Sequence, residues 1–189
     1  MSGNLKWMLG VGGVLLVLFL IGMGSYNSLV SSNEAVEAQW SQVENVMQRR
    51  FDLIPNLVNT VKGYAKHEKD VLVEVTRLRS QWGAAQTRAD KVKTSDQLEG
   101  SLNHLMVVLE SYPNLKANEG FLKLQDELAG TENRIAVERM RYNQAVQNYN
   151  IKVRSFPSNI MASLGGFQRK DDYFKAVAGA EQAPKVDFN

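Results

Sequence analysis

No residue between Lys6 and Glu34 is charged. A single helix needs about 20 apolar residues to cross a hydrocarbon core of about 30 Å. The stretch from Trp7 to Tyr26 meets that length, and its two end aromatics suit the two interfaces of a bilayer. A cleaved signal peptide is the competing reading, because Gly22-Met23-Gly24 offers small residues at cleavage spacing. The leading MSGNLK carries one lysine, and the apolar run outlasts an ordinary signal core. A retained anchor is therefore expected. No second run of that length follows, so one crossing is expected. Lys6 flanks one end, whereas Glu34, Glu37 and Glu44 precede Arg49 and Arg50 at the other. The positive-inside rule then keeps the amino terminus cytoplasmic and exports the rest.

Beyond the anchor, apolar residues recur at steps of three and four: Val36, Trp40, Val43, Met47, Phe51, Ile54, Val58, Val61 and Tyr64. That is one helix face sustained over many turns. Pro55 falls within it and is expected to kink the helix without ending it, since the apolar spacing continues across it. A second helix carries Val71, Val75, Leu78 and Trp82 and runs to about Ala89. Thr94-Ser95-Asp96-Gln97 has capping-box spacing and is expected to open a third. Pro113 disfavours helix at Tyr112, and Asn118 can cap a fourth helix that uses Phe121, Leu124, Leu128, Ile135, Tyr142, Val146, Tyr149 and Val153. Pro157 ends it, and a short apolar segment from Ile160 to Leu164 stops at Gly165-Gly166.

The expected fold is all-α. A transmembrane helix precedes an antiparallel up-and-down bundle of about four helices, two long and two short. The expected divisions are a flank at 1–6, the anchor at 7–26, the bundle at 27–157, and a short apolar segment with a partly ordered tail at 158–189.

Composition excludes much chemistry. The chain has no cysteine, so disulfides, thiol catalysis and Cys-based metal sites are ruled out. Its only histidines are His67 and His104, and His67-Glu68 lacks the second histidine a zincin helix requires. A net charge of +2 gives no electrostatic footprint for nucleic acid. Neither a catalytic constellation nor a cofactor motif stands out, so no enzyme activity, metal or cofactor is expected.

Several polar words are not dictated by helix packing. They are Trp40-Ser-Gln-Val-Glu-Asn45, Asp52-Leu-Ile-Pro-Asn-Leu-Val58, Val61-Lys-Gly-Tyr-Ala65, Tyr112-Pro-Asn-Leu-Lys-Ala-Asn118, Thr131-Glu-Asn-Arg-Ile135, Tyr142-Asn143, Tyr149-Asn150 and Phe156-Pro157. With Phe167-Gln168 and Tyr173-Phe174 they resemble the motifs of the LemA family over nearly the whole chain. The resemblance implies a bacterial single-pass membrane protein with a helical bundle, placed in the inner (cytoplasmic) membrane. It implies no activity.

Three groups of residues are candidates for function. Two short helices are expected to leave the long pair partly bare near the membrane, exposing Val36, Trp40 and Val43 opposite Val146, Tyr149 and Val153, for the C-terminal segment, lipid headgroups or other subunits to cover. Asn143 and Asn150, seven apart, would then fix the register of an interface between subunits. The second group is the tip loop Tyr112, Pro113, Asn114, Leu115, Lys116 and Asn118, a helix connector that can also serve as a docking loop. In the third, Glu132, Arg134 and Glu138 face Arg49, Arg50 and Asp52 as ion-pair candidates. The first expectation is a scaffold that self-associates in the membrane plane, with lipid and further copies as partners. The alternative is an adaptor or sensor that binds another membrane protein through the tip loop or an inter-helix groove.

Overall fold

The computed structural model describes residues 3–65 and 68–174, with side chains from residue 7 onward. Among the described residues there are six helices and no strand. They are α1 (Gly3–Lys62), α2 (Lys69–Ala84), α3 (Arg88–Leu109), α4 (Pro113–Lys116), α5 (Glu119–Arg154) and α6 (Ser158–Leu164). By contact the chain divides into two compact units, Met1–Gln39 with Arg139–Asn189, and Trp40–Glu138. The domain expected at 27–157 is thus shared between them. His67 and the tail beyond residue 174 lie outside the described residues.

The unit Trp40–Glu138 is built around the apolar face read from the sequence. Val43, Met47, Phe51, Ile54, Leu57 and Val61 of α1 are all buried. They meet Leu72, Val75, Leu78 and Trp82 of α2 and Leu98, Leu102, Leu105 and Leu109 of α3, all buried likewise. Phe51 stacks on Trp82 with ring centroids 4.7 Å apart. Pro55 lies inside α1 and does not end it; the helix continues to Lys62. Its missing amide is tolerated because burial of the flanking Ile54, Leu57 and Val58 offsets a cost of about 3 kcal/mol.

Two boundaries differ from expectation. The second helix stops at Ala84, and the third starts at Arg88, capped by Thr87, whose hydroxyl accepts from the Asp90 amide at 3.1 Å. Thr94 and Ser95, expected to open that helix, are buried within it. The Thr94 hydroxyl donates to the Asp90 carbonyl at 2.8 Å, the usual way a mid-helix threonine satisfies itself. Pro113 does more than break a helix. It occupies the first turn of α4, where a proline amide is not needed.

Arg50 is the one buried cation of this unit among the described residues, 4 % exposed. Its Nη2 reaches Glu132 of α5 at 2.5 Å, and its Nη1 lies 4.0 Å from Glu99 of α3. The sequence pointed to Arg50 and Glu132 but not to Glu99. A buried cation with two carboxylates ties three helices at one level, and such a group stabilises only while its partners are present. Arg50→Met alone should therefore lower stability by about 1–3 kcal/mol, since both carboxylates are left without their cation. Arg50→Met combined with Glu99→Leu and Glu132→Leu should recover most of that loss. Denaturant unfolding followed by circular dichroism measures both; a triple variant less stable than the single one would refute the argument.

The unit of residues 1–39 and 139–189 contains the apolar start of α1, the end of α5, α6, and a segment at 167–174 with neither helix nor strand. The residues of α1 from Trp7 to Ile21 are exposed, with no apolar side chain of this stretch buried. The helix is long and apolar enough there to cross a membrane. Further along, Leu29, Ser32 and Val36 are buried, as are Tyr142, Val146, Tyr149 and Asn150 of α5.

Candidate functional site

The end of α5 presents Tyr142-Asn143 and Tyr149-Asn150, repeated at a spacing of seven. Seven helical residues rise about 10 Å. The segment 167–174 runs alongside without helix or strand partners of its own. An extended chain leaves its backbone donors and acceptors open, and each must find a partner. Asn143 supplies one pair: its Nδ2 donates to the Phe174 carbonyl at 2.9 Å, and its Oδ1 accepts from the Phe174 amide at 2.9 Å. Asn150 supplies the other, donating to the Lys170 carbonyl at 2.7 Å and accepting from the Lys170 amide at 2.9 Å. Each side-chain amide thus plays the part of a neighbouring strand for one residue. The numbering falls along the segment as it rises along α5, so the two run antiparallel. Within the step from Lys170 to Phe174 the Tyr173 amide turns back to the Asp171 carbonyl at 2.9 Å, which shortens the reach below the about 13 Å of a fully extended chain and toward the asparagine spacing.

Side chains complete the clamp. Tyr149 donates its hydroxyl to the Gln168 carbonyl at 2.9 Å. Phe174 meets Tyr142 edge-on at 5.5 Å, and the Arg139 guanidinium lies 5.1 Å from its ring centroid. Lys170 reaches Glu37 of α1 at 2.7 Å and sits over the Tyr149 ring. Phe167 contacts Tyr26 of α1 edge-on at 5.7 Å. The segment therefore links α1 to α5 within this unit. Lys152 adds a polar link below it, donating to the Ser32 hydroxyl and the Ser28 carbonyl.

This geometry corrects the expected subunit interface. Val36, Val43, Val146, Tyr149 and Trp40 are not bare; each is buried within the single chain, and Val153 is half-buried. Asn143 and Asn150 hold the chain's own C-terminal segment. Of the covers open to that face, the C-terminal segment is the one held against Tyr149 within this unit. Lys170, its docking cation, was missed. The signal available was the pair of words Phe167-Gln168 and Tyr173-Phe174, whose residues the clamp grips.

The tip loop is also more closed than expected. Leu115 is fully buried, while Asn114 and Lys116 are exposed. Asn118 accepts from the Phe121 amide at 3.0 Å, capping α5, and donates to the Tyr64 hydroxyl at 3.1 Å. Tyr112 donates to Glu68 at 2.9 Å, which holds its hydroxyl above the ordinary tyrosine pKa. Of the ion-pair candidates, Asp52 accepts from Gln48 instead, and Arg49 and Arg134 lie on the surface. His104 is on the surface as well.

An open groove lies at the end of α1 and along α2. It has a volume of about 1120 Å³ and an apolar floor of Val58, Ala65 and Leu72. Val73 stands exposed on its wall, and Lys62, Lys69 and Arg77 rim it. Arg77 pairs with Glu74 at 2.5 Å. Sequence periodicity did not isolate this groove, because Val73 sits outside the buried stripe of α2.

Two outcomes follow from the clamp and the tip. Asn150→Ala removes three hydrogen bonds, two to the Lys170 backbone and one to the Tyr173 hydroxyl, and leaves the Lys170 backbone unmatched, a loss of about 1–3 kcal/mol. The loss should be local: hydrogen exchange at 168–174 should quicken while α2 and α3 keep their protection, and equal quickening everywhere would refute a local clamp. The hydroxyl of Tyr149 is also held above its ordinary pKa, by burial. Both phenols should ionise later than free tyrosine. A raised folded-state pKa means that their contribution is complete below the unfolded value near 10 and is lost as pH climbs past the folded one. Absorbance titration of Tyr112→Phe and Tyr149→Phe should each remove a late-ionising phenol; loss of an ordinary one instead would refute the assignment.

Residues 39–188 match the LemA family. Magnetosome protein MamQ 2 of Paramagnetospirillum magneticum is 27 % identical over 82 % of this chain, which spans 66 % of that relative, just under two thirds of its length. Magnetosome protein MamQ of Magnetospirillum gryphiswaldense is 24 % identical over 94 % of this chain and 75 % of its own. Protein LemA of Metamycoplasma hominis is 23 % identical over 92 % of this chain and 77 % of its own. With its anchor-like helix, its all-helical fold and a match covering most of its length, the chain belongs to the LemA family.

Proposed function

We propose that the chain is a single-pass membrane-anchored adaptor, with no enzymatic step of its own, that binds a partner through the groove of α1 and α2. In this reading the anchor at 7–26 crosses the inner membrane of a bacterium. Residues beyond it form a four-helix bundle outside the cytoplasm. The observation that carries it is the open apolar groove itself. The faces first expected to drive self-association are occupied by the chain's own segments, whereas Val58, Ala65, Leu72 and Val73 line a concave surface left open.

Charge selects the partner. Lys62 and Lys69 are exposed at the rim, and among the described residues neither has an acidic partner. An apolar floor flanked by unpaired lysines suits an amphipathic helix with acidic flanks, laid in with its apolar face down. Relatives named both as magnetosome proteins and as LemA fit a shared architecture put to more than one use. Self-association is the second reading. It keeps one supporting observation, the anchor glycines Gly10, Gly12 and Gly13, around which a side chain would meet nothing within 4 Å.

A photoreactive residue at Val73 in the full-length membrane-embedded chain tests both. The expected result is a discrete adduct with a different protein, lost when Lys62→Glu and Lys69→Glu reverse the rim. Adducts only between copies of this chain, together with a detergent particle of several subunits, would sink the adaptor reading in favour of the scaffold.

A further inference from the structure

No residue between Arg154 and Arg169 is charged. This stretch contains α6, a short helix with a distinctive exposure pattern. Ala162 is buried and Met161 half-buried, but Leu164 is 77 % exposed, Ile160 49 % and the preceding Phe156 80 %. Ile160 and Leu164 are four apart and share a face. A helix on an aqueous surface ordinarily turns charged residues outward and apolar ones inward. Here Ile160 and Leu164 stand outward beside the small polar Asn159 and Ser163, and no charge accompanies them.

The neighbours of α6 show where this face lies. Its Met161 packs on α1 at Gly22, with the sulfur 3.5 Å from where a β-carbon would stand. Phe167, just past α6, meets Tyr26. Gly22 and Tyr26 both belong to the apolar run of α1, and Gly22 lies four residues inside its end. Four residues rise about 6 Å, within the ~5–10 Å depth at which an amphipathic helix settles at the boundary of headgroups and acyl chains. The neighbouring anchor side chains Phe19, Leu20 and Ile21 are themselves about half-exposed or more, so the bare face of α6 continues the anchor's own apolar surface.

We propose that α6 is an interfacial helix, inserting Phe156, Ile160 and Leu164 into the bilayer leaflet that α1 crosses. This rests on the reading of 7–26 as the membrane-spanning segment. The occupant of the bare face is lipid. The chain touches the leaflet twice, once through α1 and once through α6. A β-carbon at Gly22 would stand in ordinary van der Waals contact with Met161, so α6 lies against the anchor at this level.

The chain has no cysteine, so a single introduced one can carry a fluorophore at a defined place. The full-length chain is reconstituted in vesicles of phosphatidylethanolamine and phosphatidylglycerol, labelled in turn at Leu18→Cys, Ile160→Cys, Leu164→Cys and the exposed Arg134→Cys. Lipids bearing nitroxides at shallow and deep acyl positions report depth, and aqueous iodide reports water. Leu18 should be quenched by the deep nitroxide. Labels at 160 and 164 should be quenched best by the shallow one, with iodide quenching roughly threefold or more below that at 134, as expected of a site at the headgroup boundary. Labels at 160 and 164 that are as iodide-accessible as 134, while Leu18 remains quenched by lipid, would overturn the proposal. The same labels shielded from both quenchers would overturn it in favour of a protein covering, such as a second copy. A label at 18 that lipid does not quench would overturn the spanning reading itself, and this proposal with it. Circular dichroism on each labelled variant confirms retained helicity, and agreement between 160 and 164 guards against a purely local effect of either substitution.

Discussion

A polypeptide laid extended along a helix has nowhere to send its amides and carbonyls, because the helix has already used its own. Asn143 and Asn150 remove that obstacle. Each turns one donor and one acceptor, spaced as a peptide group is, to both backbone groups of one residue on the C-terminal segment. Without them the segment would trade hydrogen bonds to water for none, at a cost of about 1–3 kcal/mol for every buried group. With them, Phe167 and Phe174 can be brought onto Tyr26 and Tyr142, and Lys170 onto Glu37. Polar satisfaction comes first here, and the aromatic burial depends on it.

This ordering changes what the apolar face of α5 means. Val146 and Tyr149 look like half of an interface when helices alone are counted. They are completed by a segment with no regular secondary structure, which helical periodicity cannot reveal. The all-helical fold, the course of α1 through Pro55, the turn at Pro113 and the cap at Asn118 were all legible, because each depends on local spacing or local backbone chemistry. Trp40, Val43 and Tyr149 were legible as apolar positions too. What covers them was not, since that depends on residues far along the chain. Glu99 is a similar case: nothing near it in sequence marks it as the second carboxylate beside Arg50. The start of α3 was misplaced for a different reason. Thr94-Ser95-Asp96-Gln97 has capping-box spacing, but the hydroxyl that caps the helix is that of Thr87.

Apolar surface left open after folding is what remains to explain function, and its three patches differ in their electrostatics. Along the anchor and along α6 the large open residues are apolar, and no charge is interleaved among them. A surface of this kind gains by meeting hydrocarbon and gains nothing specific from a protein partner. The groove beside Val73 has lysines within its lining. Burying it in hydrocarbon would strand those ammonium groups at a cost of several kcal/mol each, whereas an acidic partner would match them. Charge thus sorts the patches that apolar area alone would class together: the uncharged ones suit lipid, and the lysine-rimmed one suits protein. On this argument, adding acidic residues at the rim should disfavour the partner yet leave the attachment to lipid unchanged, because the two depend on different surfaces of the chain.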